Sequence, residues 1–252
     1  MTVVSVLSAK GGSGASLVAS NLAVALARSE QTLLVDMHLG LGYDDILLDL
    51  TCERSWAELL PVADELRTQQ LELAQTRHSS GLRVLCAPVD PATTVDEPRL
   101  SMLLDALPSE VAWLVLDPPT GLAGISRIAV DRSDTVLLIT TADPGSLRAA
   151  QRLYRSLPRE TQAKVGLVVN QIGTRHPADP TTMADSMGAT LLAALPPDSH
   201  AVGYQVNFGQ ICALDNRSAF GRAIVRLAGQ MVRDGAARRQ PVSDKSPFEV
   251  VR

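Results

Sequence analysis

Nine consecutive residues near the start of the chain, Ser8-Ala9-Lys10-Gly11-Gly12-Ser13-Gly14-Ala15-Ser16, combine three glycines with a lysine and several hydroxyls. Glycines let successive backbone N–H groups turn toward one point, which makes a concave anion site. Helical spacing begins at once afterwards, at Leu17, Val18, Asn21, Leu22, Val24 and Ala25. The positive end of that helix is therefore aimed at the same point, and the segment reads as a phosphate cradle built from Gly11, Gly12, Ser13, Gly14, Ala15, Ser16 and Leu17. An ordinary phosphate loop carries a lysine just before its Ser/Thr, where it reaches the β and γ phosphates. Ala15 occupies that place here, and Lys10, at the front of the loop, is the only lysine before Lys164.

Two more groups of residues suit the same chemistry. Asp36 closes the run Leu34-Val35-Asp36 and Asp117 closes Leu114-Val115-Leu116-Asp117, which is followed by Pro118-Pro119-Thr120-Gly121. Two carboxylates that end strands at the same edge of the sheet, beside a loop hydroxyl, suit a hydrated divalent cation.

The elements that must position these residues are apolar β-branched runs separated by helical segments. Seven runs read as buried parallel strands: Thr2 to Leu7, Thr32 to Asp36, Leu82 to Ala87, Ala112 to Asp117, Thr135 to Thr140, Val165 to Asn170 and Thr190 to Leu195. Helical patterns fall at Ser16 to Arg28, Trp56 to Thr76, Asp96 to Leu107, Ser126 to Asp131, Gly145 to Leu157 and Thr181 to Met187. The alternation predicts an α/β fold, a doubly wound and mostly parallel sheet of about seven strands with helices on both faces and ligands at the strands' carboxyl ends. A last amphipathic helix follows Asp215 and is predicted to end near Gly235. One nucleotide-binding domain over 1–235 is expected, then a polar, disordered tail over 236–252.

The loop resembles the deviant phosphate loop KGGxGK[ST] of the MinD/ParA family, in which a leading lysine crosses a dimer interface to the partner's nucleotide. The resemblance continues in order along the chain. Leu34-Val35-Asp36-Met37-His38-Leu39-Gly40-Leu41-Gly42 is similar to the family's first switch, VDxDLGLG, with His38 in place of the second carboxylate. Asp117-Pro118-Pro119-Thr120-Gly121 is similar to its second switch, DxPxG, Val168-Val169-Asn170-Gln171 to the strand end that reads adenine, and Leu195-Pro196-Pro197-Asp198 to the later adenine-side loop. The resemblance implies ATP or ADP with Mg²⁺ as cofactors. It assigns Lys10, Asp36 and His38 to catalysis, the loop from Lys10 to Leu17 with Asn170, Pro196, Pro197 and Asp198 to nucleotide binding, and Ser16, Asp36 and Asp117 to the metal. It also implies a homodimer through the nucleotide face.

Within that family the GGSGAS loop most resembles the CpaE/TadZ branch, the pilus-assembly relatives, and a septum-site group shares it. This implies a dimerising protein that localises or assembles a cell-envelope machine, a Tad/Flp pilus or secretion apparatus, with protein partners there. The alternative is an active ATPase of septum placement or DNA and plasmid partitioning. Ala15 and His38 each remove a charge-organising element, so turnover slower by on the order of 10² to 10⁴-fold is expected.

The remaining composition narrows the setting. Hydrophobic residues are 46% and charged residues 20% of 252, which excludes collagen-like, coiled-coil and mainly disordered chains. No apolar run reaches the ~18 residues of a membrane span and no basic segment precedes the first strand, so a cytoplasmic protein without a signal peptide is expected. The net charge is -4, yet from Arg217 onward there are eight basic and three acidic residues. That basic end suits peripheral contact with membrane or DNA, recruiting the protein to the membrane's inner face or the cell pole, although its helix is short of Trp and Phe. Cys52, Cys86 and Cys212 are scattered and odd in number, and no disulfide or cysteine-held metal is expected. His78, His176 and His200 are expected at the surface.

Overall fold

The computed structural model describes residues 1–40, 42–107, 111–173 and 179–239; Leu41 of the switch-like segment, His176 and positions 240–252 of the polar tail lie outside them. The apolar runs form β1 (Thr2–Ser8), β2 (Thr32–Asp36), β4 (Arg83–Leu85), β5 (Trp113–Asp117), β6 (Thr135–Thr141), β7 (Val165–Asn170) and β8 (Thr190–Ala194). They join one sheet in the order β3-β4-β2-β5-β1-β6-β7-β8, where β3 is Thr76–Arg77. The sheet thus has eight strands where about seven were expected. The added edge strand, β3, is two residues long and the only antiparallel member among those described, joined to β4 by a tight turn with His78 N–H donating to Leu82. Two residues are too short to show a period.

The helices are α1 (Ala15–Ala27), α2 (Asp44–Leu47), α3 (Thr68–Ala74), α4 (Glu97–Asp105), α5 (Ile125–Arg132), α6 (Pro144–Ser156), α7 (Arg159–Gln162), α8 (Pro180–Met187), α9 (Ser199–Phe208) and α10 (Ala219–Arg239). The single helix expected over Trp56 to Thr76 is instead a 3₁₀ segment, Trp56–Glu65, followed by α3. Pro61 lies inside the first piece and Val62 leaves helical geometry, as a ring without an N–H requires. At the other end, α10 runs through Gly235 to Arg239, so residues 236–239 belong to the helix and not to the tail. Ala and Arg are strong helix formers, and one interior glycine costs only about 1 kcal/mol.

Helices cover both faces of the sheet. One core packs α1 and α10 onto the central strands, with Trp113, Leu22, Phe220 and Ile224 almost wholly buried. A second gathers Trp56, Leu100, Leu114 and Leu116 under the 3₁₀ segment and α4, and a third places α6 and α8 against β6 and β7. Because Phe220, Ile224, Leu227 and Met231 face this interior, the apolar stripe of α10 is already covered, while Arg222, Arg226 and Arg233 are exposed. No helix of the described residues is long and apolar enough to cross a membrane.

A disulfide, Cys52–Cys86, corrects the expectation of unpaired cysteines. The segment after α2 crosses the end of β4, where Trp56 N–H donates to the Cys86 carbonyl, and this brings together residues 34 apart in sequence. Cys212 is free and buried. His200 is exposed as expected, whereas His78 is half-buried against Ser80.

Candidate phosphate and cation site

The sheet order places β1 between β5 and β6, with β2 on the far side of β5, so the carboxyl ends of β1, β2 and β5 open onto one edge. In the parallel register Asp36 of β2 lies directly opposite Asp117 of β5. The loop after β1 runs over this edge and enters α1 at Ala15. Gly12 and Gly14 have φ of 78° and 87°, a left-handed backbone that a side chain strongly disfavours. At Gly14 a Cβ would also stand 2.5 Å from Asn170 Nδ2.

Two contacts brace the cradle from within. Ser13 Oγ donates to the Lys10 carbonyl at 2.8 Å, and Asn170 Nδ2 donates to the Ser13 carbonyl at 2.9 Å. Asn170 is buried and its Oδ1 accepts from the Gln171 N–H, so its amide supports the loop at the end of β7. Gly11 and Gly12 are exposed, and Gly14, Ala15, Ser16 and Leu17 are half-buried along the first turn of α1. A cavity of about 220 Å³ opens beside Lys10 to Ser13, closed by Thr141 to Asp143, Ser146 and Gln171. Lys10 lies on its rim, half exposed, with Nζ 3.5 Å from Asp143 Oδ1 and 3.3 Å from Ser146 Oγ. Asp143 caps α6, and bonds from the Ser146 and Thr141 hydroxyls, with the Lys10 charge assisting, hold it well below the usual carboxylate range.

The acidic side of the site is more deeply buried. His38 Nδ1 is 2.9 Å from Asp36 Oδ1 and 3.5 Å from Asp117 Oδ2. Asp36 also accepts from the N–H groups of His38, Tyr43 and Asp44, while its own carbonyl accepts from Trp56 Nε1 at 2.6 Å. Burial alone would lower the His38 pKa, but the Asp36 hydrogen bond and the charges of Asp117 and Asp36 outweigh it and raise the net value. Asp117 is fully buried and its pKa is pushed up to about 7, by burial first and by Asp36, against the lowering effects of His38 and the nearby Ser16 hydroxyl.

Neither Asp117 oxygen makes a hydrogen bond of full geometry. A buried carboxylate in that condition is strongly unfavourable unless a cation meets it, and the adjacent Ser16 supplies the neutral oxygen that a hydrated Mg²⁺ commonly adds. The donor set Ser16, Asp117 and Asp36 therefore fits a divalent cation at the end of the phosphate loop.

Asp44 was not among the residues singled out from sequence. It is wholly buried at the start of α2, both its oxygens lack partners, and burial followed by the charges of Asp117, Asp36 and Asp45 pushes its pKa far up. The signal available was an Asp-Asp pair directly behind the switch-like glycines, but α2 is too short to show which of the two faces inward. The adenine-side candidates are apart from this centre. Pro196 and Pro197 follow β8, Pro197 packing near Gly173, and Leu195 bonds β7 and the residues after it through Val169 and Ile172. Asp198 is committed to structure: it accepts from Ala201, Ser218 and Ala219, fixing the starts of α9 and α10, and those bonds overcome burial to lower its pKa.

With this geometry in place, comparison with known proteins identifies the relatives. The family model described as cellulose biosynthesis protein BcsQ matches residues 1–176. The chain belongs to that family. It is also similar to the septum site-determining protein MinD of Synechocystis sp., 24% identical over 239 residues that cover 90% of each chain. Among solved structures, a ParA family ATPase from Chlorobium tepidum superposes with a TM-score of 0.80 at 23% identity, covering 90% of this chain and 98% of that one. The septum site-determining protein MinD of Pyrococcus horikoshii, complexed with Mg-ADP, gives 0.80 at 21% identity, covering 95% and 99%. The α/β phosphate-loop fold of the MinD/ParA group expected from the sequence is thus the fold of this BcsQ-family chain. These relatives are of BcsQ, MinD and ParA type.

Proposed function

We propose that this chain is a nucleotide-gated dimerising scaffold that serves a cell-envelope machine and hydrolyses ATP weakly or not at all. The observation that carries the reading is the Asp117 carboxylate, buried without a hydrogen-bond partner beside Ser16, at the end of a phosphate loop whose glycines leave the cradle open. The backbone from Gly11 to Ser16 binds the phosphates of ATP or ADP, and Ser16, Asp117 and Asp36 hold Mg²⁺, which when bound neutralises phosphate charge. Asn170 keeps the loop in shape from below. The Mg-ADP held by the similar Pyrococcus protein supports this cofactor choice.

Lys10 has the cross-subunit role in this reading. The Lys10–Asp143 pair is exposed enough on both sides to be worth less than ~1 kcal/mol, so Lys10 is readily released to the phosphates of a second copy. Ala15 and His38 leave the transition state short of a lysine and of a carboxylate, which favours binding over turnover. The family description favours a cellulose-synthesising machine as the one served. The pilus-assembly version stands on the GGSGAS loop and shorter matches at 82–88, 142–148 and 170–173, and a septum or partition ATPase is the alternative if turnover proves normal. The exposed arginines of α10 remain available to an anionic surface, while its apolar face is not.

Calorimetry with ATP and Mg²⁺, run beside a phosphate-release assay, tests the reading. Saturable binding with turnover at least ~100-fold below that of an active MinD or ParA ATPase is expected. Absence of binding at millimolar nucleotide would overturn it, and ordinary turnover would replace it with the ATPase alternative.

A further inference from the structure

The acidic centre differs from an all-oxygen magnesium site in one donor. Asp36, His38 and Asp117 each bring one ligating atom to within 4.8 Å of the others, so an imidazole nitrogen stands among carboxylate oxygens. Metal bonds of about 2.0–2.1 Å at octahedral or tetrahedral angles put neighbouring donors roughly 2.9–3.4 Å apart. The His38–Asp36 separation, 2.9 Å, matches the edge of such a shell, and the His38–Asp117 separation, 3.5 Å, lies just outside it.

Charge points the same way. Asp36, Asp44 and Asp117 converge with no lysine or arginine paired to any of them among the described residues, and four oxygens, two on Asp44 and two on Asp117, are buried without hydrogen bonds. Asp44 lies against the cluster, its N–H donating to Asp36 Oδ2, so its buried carboxyl adds attraction for a cation without standing in the three-donor group. His38, at 24% exposure, borders solvent and gives the ion a way in.

We propose that Asp36, His38 and Asp117 form a divalent metal site that takes a first-row transition ion such as Co²⁺, Mn²⁺ or Zn²⁺ in preference to Mg²⁺, without needing nucleotide. Imidazole suits these ions, whereas Mg²⁺ favours hard oxygen donors and gives up its water reluctantly. The histidine at position 38 thereby changes which metal the cradle holds. The proposal concerns the cation position of the site described above, but it stands or falls on metal binding alone.

Co²⁺ is the probe. Nucleotide-free protein titrated with Co²⁺ is expected to bind one ion, with visible d–d bands and a hyperfine-shifted exchangeable imidazole proton, about 100-fold or more tighter than it binds Mg²⁺. His38→Ala and His38→Gln should each weaken Co²⁺ by about 10–100-fold and leave Mg²⁺ nearly unchanged. His38→Asp should shift the preference back toward Mg²⁺, and Asp117→Asn should abolish both. Equal Co²⁺ affinity in wild type and the His38 variants would overturn the proposal, as would a wild-type Co²⁺ form with no shifted imidazole proton; the latter measurement needs no variant to fold. Loss of Mg-ATP binding with the Co²⁺ preference intact would refute the nucleotide reading alone.

Discussion

Replacing Asp117 by asparagine should shift the stability of the metal-free protein in the variant's favour, by an amount that grows with pH. Its folded pKa is raised, from 3.8 to about 7, so the unfolded chain releases this proton first and the native state retains it. Stability from the retained proton is therefore fully present below pH ~4 and is lost as pH rises toward ~7. With a shift of about three units, the cost carried by the carboxylate is roughly 2 kcal/mol near pH 5 and roughly 4 kcal/mol near pH 8. His38, raised in the same cluster, also loses its contribution as pH rises. The buried amide of the variant has no partner either, a cost of about 1–3 kcal/mol that does not depend on pH. Urea unfolding of wild type and variant at pH 5 and pH 8, in chelator, isolates the pH-dependent part. The variant's stability relative to wild type should improve by ~2–3 kcal/mol between the two conditions. Saturating divalent cation should restore the wild type at pH 8 and leave the variant unchanged. A difference that is the same at both pH values, or that favours wild type more at pH 8, would refute the claim that this carboxylate is buried in wait for a cation.

Gly14→Ala should cost about 2–4 kcal/mol in denaturant unfolding, combining left-handed backbone strain with displacement of the Asn170 amide from Ser13, and a loss under 1 kcal/mol would contradict the close packing under the loop. Reducing the Cys52–Cys86 bond opens a link between residues 34 apart, so Cys52→Ser should lower stability by ~3–4 kcal/mol, and an unchanged midpoint with and without reductant would show that the bond does not form. Lys10→Ala should change monomer stability by less than ~1 kcal/mol while weakening nucleotide-dependent association at least tenfold; equal association in wild type and variant would remove Lys10 from the interface.

The legible part of this molecule was the part written in period and in backbone chemistry. β2 and β7 fall on their expected bounds because continuous apolar runs buried on both faces leave little choice of state, and the loop at Lys10 to Ser16 is marked by glycines that its backbone requires. The opposition of Asp36 and Asp117 followed from strand ends at one edge. What could not be read was set by contacts distant in sequence. The Cys52–Cys86 bond depends on how the chain crosses β4, and the two-residue β3 has no period to detect. Asp44 looks like any acidic residue at a helix start until its burial is known, and Lys10 offers no hint in sequence that it rests on Asp143. Asp198 sits in the adenine-like motif, yet its carboxylate is spent on anchoring α9 and α10.

Sedimentation velocity of the full chain with and without ATP and Mg²⁺ tests nucleotide-gated dimerisation most directly. A monomer in chelator that shifts to a dimer when Mg-ATP is added, and stays dimeric for hours without phosphate release, is the predicted result. A monomer under both conditions, or a dimer indifferent to nucleotide, would contradict the account.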